Sequence, residues 1–580
     1  MGPNRLQSLW VAFACAVLGG CAATERDVAP GRATGGMVAA DHTLAAEAGA
    51  EILRAGGNAV DAAVATSFAL SVVRPDACGI GGGGFMLVHL KDDPRHGDLT
   101  VAINYRETCP AAVGPTTYAD WGDPEASRRG GRAVAVPGTV AGLLHALERY
   151  GSLERSVVIA PAIRLAERGF PADAHHVRTA ASLVPYFEAD ASRKVRFPFV
   201  WERSMGRGSM RVGDLVSVPE QARALRLVAE HGADAFRRGP IADAMVRSVR
   251  GDGGVLNHDD LVGYRVRETA PITHDVGGHR IVAMPPPSSG GIVVAQTLDL
   301  AERLNLTTLA TEWPDTASTH TLAEILKHAF AERSRLMADP AFHAVPIGAM
   351  LSEGALAETA RSVRSAVDQG RTEEPGRYGL VGPPPVDGGT SHISVVDRFG
   401  NAVACTETIN LAFGSLVVVD GFGFCLNNQM DDFTTVSGQA NAFGLVQSDA
   451  NLPQPGKRPL SSMSPTILLD RENEVVAVAG ASGGPRIITS TAQVLLRKLR
   501  GGATADQAVI APRVHHQWLP DRLDFEPAAP RWLSDQMQAI GFETGVREQI
   551  GAVQVVFRDP STGELDGAAD PRKGGGVARE

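Results

Sequence analysis

The sequence predicts an α+β protein, helical through most of its first two thirds and built from short strands in its last third. Three observations carry that reading. The 580 residues are 44% hydrophobic, 21% charged and 5% aromatic, the composition of a soluble globular chain with ample material for a core. Between residues 41 and 337, alanine-rich stretches recur with apolar residues spaced along one helix face. After a Pro/Gly-rich connector, "RTEEPGRYGLVGPPPVDGG" (371–389), the texture changes to short β-branched runs.

The amino terminus carries Arg5 and then "SLWVAFACAVLGGC", an apolar run of 14 residues ending in small side chains. A helix needs about 20 residues to cross a bilayer, so the run reads as the hydrophobic part of an export leader. "LGGC" (18–21) is similar to the bacterial lipobox, which makes Cys21 a candidate lipidation site; simple cleavage and release is the alternative. The expected location is therefore the periplasm or another exported compartment, with a lipid anchor in a bacterial membrane. Residues 1–21 form the leader and residues 22–35 a linker.

From residue 36 the pattern runs helix, helix, glycine loop, strand. Asp41 is positioned to cap "HTLAAEAGAEILRAGG", which Gly56 and Gly57 stop, and Asn58 caps "NAVDAAVATSFALSVV", which ends before Pro75. "GIGGGGFMLVHL" leads into a strand at 85–90, with "LTVAINYRE" as its partner. Gly81 to Gly84 lack the Lys and the spacing of a phosphate loop. Helices are expected at 140–150, 155–168, 222–231, 291–304 and 321–337, and late ones at 504–511 and 529–540. Strands are expected in "SHISVVD", "NAVACTETI", "SLVVVD", "PTILLD" and "VVAVAGAS".

Charge narrows the function classes. The net charge of −10 supplies no basic excess to neutralise phosphates, which argues against nucleic acid as a partner. Outside the leader, Cys78, Cys109, Cys405 and Cys425 have neither CxxC spacing nor paired histidines, so no metal site is expected and buried thiols are the preferred reading. His515 and His516 are adjacent, and neighbouring strand residues point to opposite faces, so they read as structural.

The chemistry concentrates in "PVDGGTSHISVVDRFGNAVACTETIN" (385–410). If the two runs form a hairpin about Phe399, with Gly400 and Asn401 in the turn, paired positions sum to about 2 × 399 = 798 and Thr390 faces Thr408. Thr406 and Asn410 share a face with Thr408. A threonine hydroxyl needs a base beside it to act as a nucleophile. The first residue of a chain always has one, because an α-amine titrates near pKa 7.7–8.0, roughly at working pH. Cutting the Gly389–Thr390 bond would provide it, and Gly389 tolerates the strained backbone such a cut requires. Taken alone, the same residues also fit an ordinary loop entering a strand.

"DGGTSHISVVDRFGNAV", "LNNQMDDF", "KRPLSSMSPTI" and "GASGGPRIIT" strongly resemble the gamma-glutamyltransferase family, self-cleaving hydrolases of the amino-terminal-nucleophile type. "GGNAVDAAVATSFALSVVRP", "GIGGGGFML", "AVPGTVAGL", "MPPPSSGG", "APRVHHQWLP" and "ADPR" match it in the same order, so the resemblance spans nearly the whole mature chain. It implies a four-layer αββα sandwich assembled from two products of one precursor, a large subunit of residues 36–389 and a small one of residues 390–580. It implies Thr390 as nucleophile, Thr408 as its support and Asn410 as a substrate contact. Gln429 and Asp432 match the residues that receive the substrate's α-amino group, and Arg106, Ser461 and Ser462 those that hold its α-carboxylate. Gly483 and Gly484 match the oxyanion-hole donors, and "PPPSSGG" a structural segment. Phe443 stands where many bacterial relatives have tyrosine, which puts a lid-closing hydrogen bond in doubt.

The activity so implied is cleavage of the γ-glutamyl amide of glutathione or a similar compound, with water, an amino acid or a dipeptide releasing the acyl group, and with no cofactor or metal. Two alternatives remain at this point: an acylase acting on glutaryl groups, and an inactive lipoprotein that only binds peptides. The carboxylate of Asp432 weighs against the first, since a glutaryl group brings no cation to pair with it.

Overall fold

The computed structural model describes residues 31–33, 35–306, 315–373 and 389–580. The leader with Cys21, most of the linker, and residues 374–388 of the Pro/Gly-rich connector lie outside the described residues.

Two seven-stranded sheets stack face to face. The first runs in the order Gly576–Arg579, Met37–Ala40, Thr390–Val396, Ala402–Thr408, Gly83–Asp93, Gly97–Asn104, Arg267–Thr269. The second runs Gly31–Ala33, Leu565–Ala569, Ala552–Arg558, Val475–Ser482, Thr466–Leu469, His279–Ala283, Ile272–Val276. Met37, Ala39, Phe85, Leu87, Val396 and Ala404 of the first sheet belong to one buried cluster with Val478, Val555 and Val556 of the second. Side chains at alternate positions, among them Val38, Ala40, Val88, Val395 and Val403, instead join the helices Thr43–Arg54, Ala59–Val73 and Thr139–Tyr150. Helices Gly290–Arg303, Thr316–Leu336 and Arg486–Gly501 cover the other sheet. This alternation between two buried faces is the period of two in a strand, and it yields the αββα sandwich that the family resemblance implies.

Residues from both sides of Gly389 are interleaved in each sheet. Strand Thr390–Val396 lies between Met37–Ala40 and Ala402–Thr408, and Gly576–Arg579 closes the edge beyond Met37–Ala40. Neither segment could keep its core without the other, so a cut after Gly389 leaves the sandwich in one piece.

The expected helices form within a few residues of their anticipated bounds, as Thr139–Tyr150, Arg155–Arg168, Pro219–His231, Gly290–Arg303, Thr316–Leu336, Ala505–Ile510 and Arg531–Ile540. Asn58 caps as expected, in a reciprocal box with Asp61. Asp41 does not cap. His42 takes that place, its Nδ1 accepting from Leu44 N at 3.1 Å, and Asp41 instead accepts hydrogen bonds from Lys573 Nζ and Gln554 Nε2, each at 2.6 Å. "SLVVVD" is not a strand either: φ is +66° at Leu416, and glycines with positive φ at 421 and 423 turn the chain, so a single bridge, Val418 to Cys425, remains. All four described cysteines are free and buried.

Candidate active site

The hairpin register is the predicted one. Thr390 pairs with Thr408 and Val396 with Ala402, and the two threonine hydroxyls lie 3.1 Å apart. Thr408 Oγ1 donates a short hydrogen bond to the carbonyl oxygen of Gly389 and accepts from Asn410 N at 2.8 Å. Its one proton is thus directed at Gly389, which leaves the Thr390 hydroxyl as the donor between the two threonines. Ile409 N donates to the same Gly389 oxygen at 3.1 Å. Two donors therefore converge on the carbonyl immediately before Thr390. Gly389 has φ +87°, and an added Cβ would overlap the Asn410 carbonyl, so only glycine fits here.

The nearest histidine on this strand is not available as a base. Burial holds His392 down at about 3, and its ring nitrogens bond to Thr406 Oγ1 at 2.7 Å and Ser394 Oγ at 3.0 Å. Behind Thr390, the buried ammonium of Lys573 donates to the Thr390 carbonyl oxygen and pairs with Asp41. These two residues, with Gln554, fix the main chain of the first strand residue.

A small cavity of about 20 Å³ opens beside Thr390 and Thr408, lined by Arg106, Asn410, Gln429, Asp432, Ser461, Ser462 and Gly484 among others. The sequence-predicted residues thus converge, with Gly483 on the far side of Thr390. Arg106 is fully buried and ion-paired to Asp432, and Gln429 Nε2 donates to the same carboxylate at 2.7 Å. Gly483 and Gly484, at φ +130° and +56°, stand at the start of helix Arg486–Gly501, where free backbone N–H groups gather. Ser288 and Ser289 of "PPPSSGG" act on backbone: Ser289 Oγ donates to Ser461 O at 2.6 Å and Ser288 Oγ to Met463 O at 2.8 Å, which sets the position of the Ser461–Ser462 pair.

Sequence reasoning missed Arg333. It lies in helix Thr316–Leu336, is 1% exposed, lines the small cavity, and donates to Ser289 Oγ at 2.8 Å and Ser462 Oγ at 3.4 Å. Burial lowers its guanidinium to about 10, and its second terminal nitrogen is buried without a partner. Among polar residues on that helix it was indistinguishable from a surface arginine. Lys573 follows "ADPR", a matched motif, but nothing in the motif pointed it at Thr390.

The lid-like loop holds without a tyrosine. The Phe443 ring lies against Gly484, where an added Cβ would come within 2.7 Å of Cδ1, and Gln517 Nε2 donates to the Phe443 carbonyl at 3.1 Å. Ala442 N donates to Asp431 at 2.9 Å. Main-chain bonds thus anchor the loop in place of a side-chain hydroxyl. His515 and His516 diverge as expected: one ring bonds Thr489 and Gln517, the other faces Asp521.

Beneath Arg106, Glu107 and Glu407 are fully buried, and burial pushes both up to about 7. A glutamate in the unfolded chain titrates near about 4.3. Between those values the native protein binds more protons than the unfolded chain, so stability falls as pH rises through that window. Glu407→Gln removes one of the two groups and should lose less stability between pH 5 and pH 8 than the parent protein, by roughly 1–3 kcal/mol on the scale of about 1.4 kcal/mol per pKa unit. Denaturant melts at the two pH values test this; an unchanged pH slope in the variant refutes it.

The comparisons agree with this geometry. The family model described as gamma-glutamyltranspeptidase matches residues 45–579. The chain is 38% identical to a glutathione hydrolase proenzyme of Escherichia coli (strain K12), covering 94% of this chain and 92% of that protein. It is likewise 38% identical to one of Pseudomonas aeruginosa, covering 98% and 97%. Among solved structures, a cephalosporin acylase from Bacillus halodurans superposes with a TM-score of 0.80 at 27% identity over 95% of this chain and 96% of its own. A gamma-glutamyltranspeptidase of Helicobacter pylori gives 0.51 at 33% identity over 56% of this chain and 90% of its own. With a family model spanning almost the whole length and full-length relatives above one third identity, this chain belongs to the gamma-glutamyltranspeptidase family.

Proposed function

We propose that this enzyme is made as one chain, cleaves itself between Gly389 and Thr390, and then cleaves the γ-glutamyl amide of glutathione and related compounds through an ester on Thr390. The observation that carries the proposal is the pair of donors, Thr408 Oγ1 and Ile409 N, on the Gly389 carbonyl oxygen, with the Thr390 hydroxyl beside them.

In self-cleavage, Thr390 Oγ attacks the Gly389 carbonyl carbon. Its proton passes to Thr408, whose own proton moves onto the Gly389 oxygen. Collapse breaks the Gly389–Thr390 C–N bond, the nitrogen takes up a proton, and the resulting ester is hydrolysed by water to a Gly389 carboxylate and a free Thr390 amine. That amine then serves as general base for the second reaction.

A γ-glutamyl donor enters the small cavity with its zwitterionic end toward Arg106, Asp432, Ser461 and Ser462. Its α-carboxylate replaces Asp432 as the partner of Arg106, a bidentate match for a guanidinium, and its ammonium takes up Asp432 and Gln429. Arg333 adds a second positive charge behind Ser462. Gly483 and Gly484 stabilise the oxyanion as Thr390 attacks the γ-carbonyl. The leaving amine departs protonated, and water or an acceptor amine releases the acyl group.

The leader and the lipobox-like "LGGC" support export and lipidation at Cys21 as part of the same proposal. The test of function is hydrolysis of a γ-glutamyl anilide by the purified protein, with the anilide consumed faster when glycylglycine is added. A protein that has been cut after Gly389 yet releases no aniline would overturn the γ-glutamyl assignment.

A further inference from the structure

Thr390 lies between two spaces, and only one of them has been given an occupant. On its other side is a groove of about 580 Å³, and Thr390 is the one lining residue the groove shares with the small cavity. The oxyanion glycines divide in the same way, Gly483 toward the groove and Gly484 toward the small cavity. A γ-carbonyl seated at Thr390 with its glutamyl part in the small cavity must therefore direct its amide nitrogen into the groove. An acceptor amine must enter from the same side, because release of the acyl group to an amine retraces the path of the leaving amine.

The groove is lined by four cationic side chains and one carboxylate, Glu548. Lys573 is matched by Asp41. Arg547 shares Asp524 with Arg522, so one carboxylate faces two guanidiniums. Arg178, on helix Ala174–Ala189, donates only to the Arg572 carbonyl at 3.0 Å and has no carboxylate partner among the described residues. The small cavity spends its carboxylate on the ammonium of a donor; the groove carries positive charge in excess, at its rim.

We propose that this groove is the leaving-group and acceptor subsite, and that it selects amines that are peptides with a free carboxylate, held by Arg178 with support from Arg547. A volume of this size is within the range of roughly 300–1,000 Å³ that small-molecule sites occupy, ample for a dipeptide. The chemistry balances without a further reactant. The donor amide C–N bond breaks as the Thr390 ester forms, and the Thr390 proton leaves on the dipeptide nitrogen. In transfer, the acceptor nitrogen attacks the ester carbon, loses its proton, and Thr390 Oγ is reprotonated.

This inference rests on the γ-glutamyl reading of the small cavity, and the test separates the two. The processed protein is assayed with three donors that share a γ-glutamyl group: the p-nitroanilide, γ-glutamyl-alanylglycine, and the carboxamide of that peptide. The parent protein should favour the free acid over the carboxamide by about fivefold in kcat/KM, the size expected for one partly exposed charged contact. Arg178→Gln should bring that ratio close to one, and added salt should lower it in the parent protein. Equal turnover of acid and carboxamide by the parent protein, or a ratio that survives Arg178→Gln, overturns the subsite. A processed parent protein inert on the anilide overturns the γ-glutamyl reading itself, and the subsite falls with it.

Discussion

Thr390→Ala is expected to remain a single 580-residue chain and to lose γ-glutamyl hydrolysis by roughly 10⁴-fold or more, the scale of losses when a catalytic nucleophile is deleted. The parent protein should instead resolve on a denaturing gel into fragments of 389 and 580 − 389 = 191 residues, the smaller one beginning Thr-Ser-His-Ile. Both losses trace to one oxygen. Before cleavage it is the only hydroxyl placed to reach the Gly389 carbonyl while Thr408 and Ile409 hold that carbonyl's oxygen. After cleavage it is the atom that carries the acyl group. Thr390→Ser keeps a hydroxyl and should retain both reactions at lower rates. Gly389→Ala separates the two functions of the site: a methyl group there meets the Asn410 carbonyl at a backbone φ of +87°, so processing should fail although the nucleophile is intact. Amino-terminal sequencing of any small fragment decides the matter, since a new end at another residue removes Thr390 from the mechanism.

The hairpin was legible because its information is local. A period of two, a turn centred on Phe399 and one sum placed Thr390 opposite Thr408, and the structure has that register. Helices with strong apolar spacing and Asn58 as cap were legible for the same reason. Two kinds of feature were not. Strands Arg267–Thr269, Ile272–Val276 and His279–Ala283 are short and sit at sheet edges or beside them, where sequence pattern is weakest. Asp41, Arg333 and Lys573 act over separations of hundreds of residues, as in the pairing of Asp41 with Lys573, and no spacing in the chain encodes such a contact. Arg106 lies between these cases, for the residues around it alone would fit a surface arginine at a strand end. Its burial and its pairing with Asp432 required the sandwich to bring residues 106 and 432 together.

The two sides of the Gly389–Thr390 bond also explain why one fold can process itself and then turn over substrate. Strand Thr390–Val396 is central, flanked by strands on both sides and backed by Lys573 on its first carbonyl. Severing the chain at its first residue therefore frees an amine without freeing the strand. An edge strand cut in the same way would lose half its support and fray.

Asp432→Asn should lower kcat/KM for a γ-glutamyl anilide by about 10²-fold or more, the range found when one member of a buried charge pair is removed, while a glutaryl anilide, which lacks the α-ammonium, should be turned over no more slowly than by the parent protein. The contrast matters because a cephalosporin acylase shares this fold at a TM-score of 0.80. With a γ-glutamyl donor bound, Arg106 turns to the α-carboxylate and Asp432 to the ammonium, so every charge keeps a partner. With a glutaryl donor bound, Arg106 can still take a carboxylate, but Asp432 is left facing an apolar methylene with only Gln429 to hold it. Replacing the carboxylate by an amide removes that penalty for the glutaryl compound and removes the attraction for the γ-glutamyl one. A different outcome would reassign the residue. If both substrates lose rate equally, the work of Asp432 is to hold Arg106 in place through their ion pair, and recognition of the ammonium passes to Gln429 and Asn410.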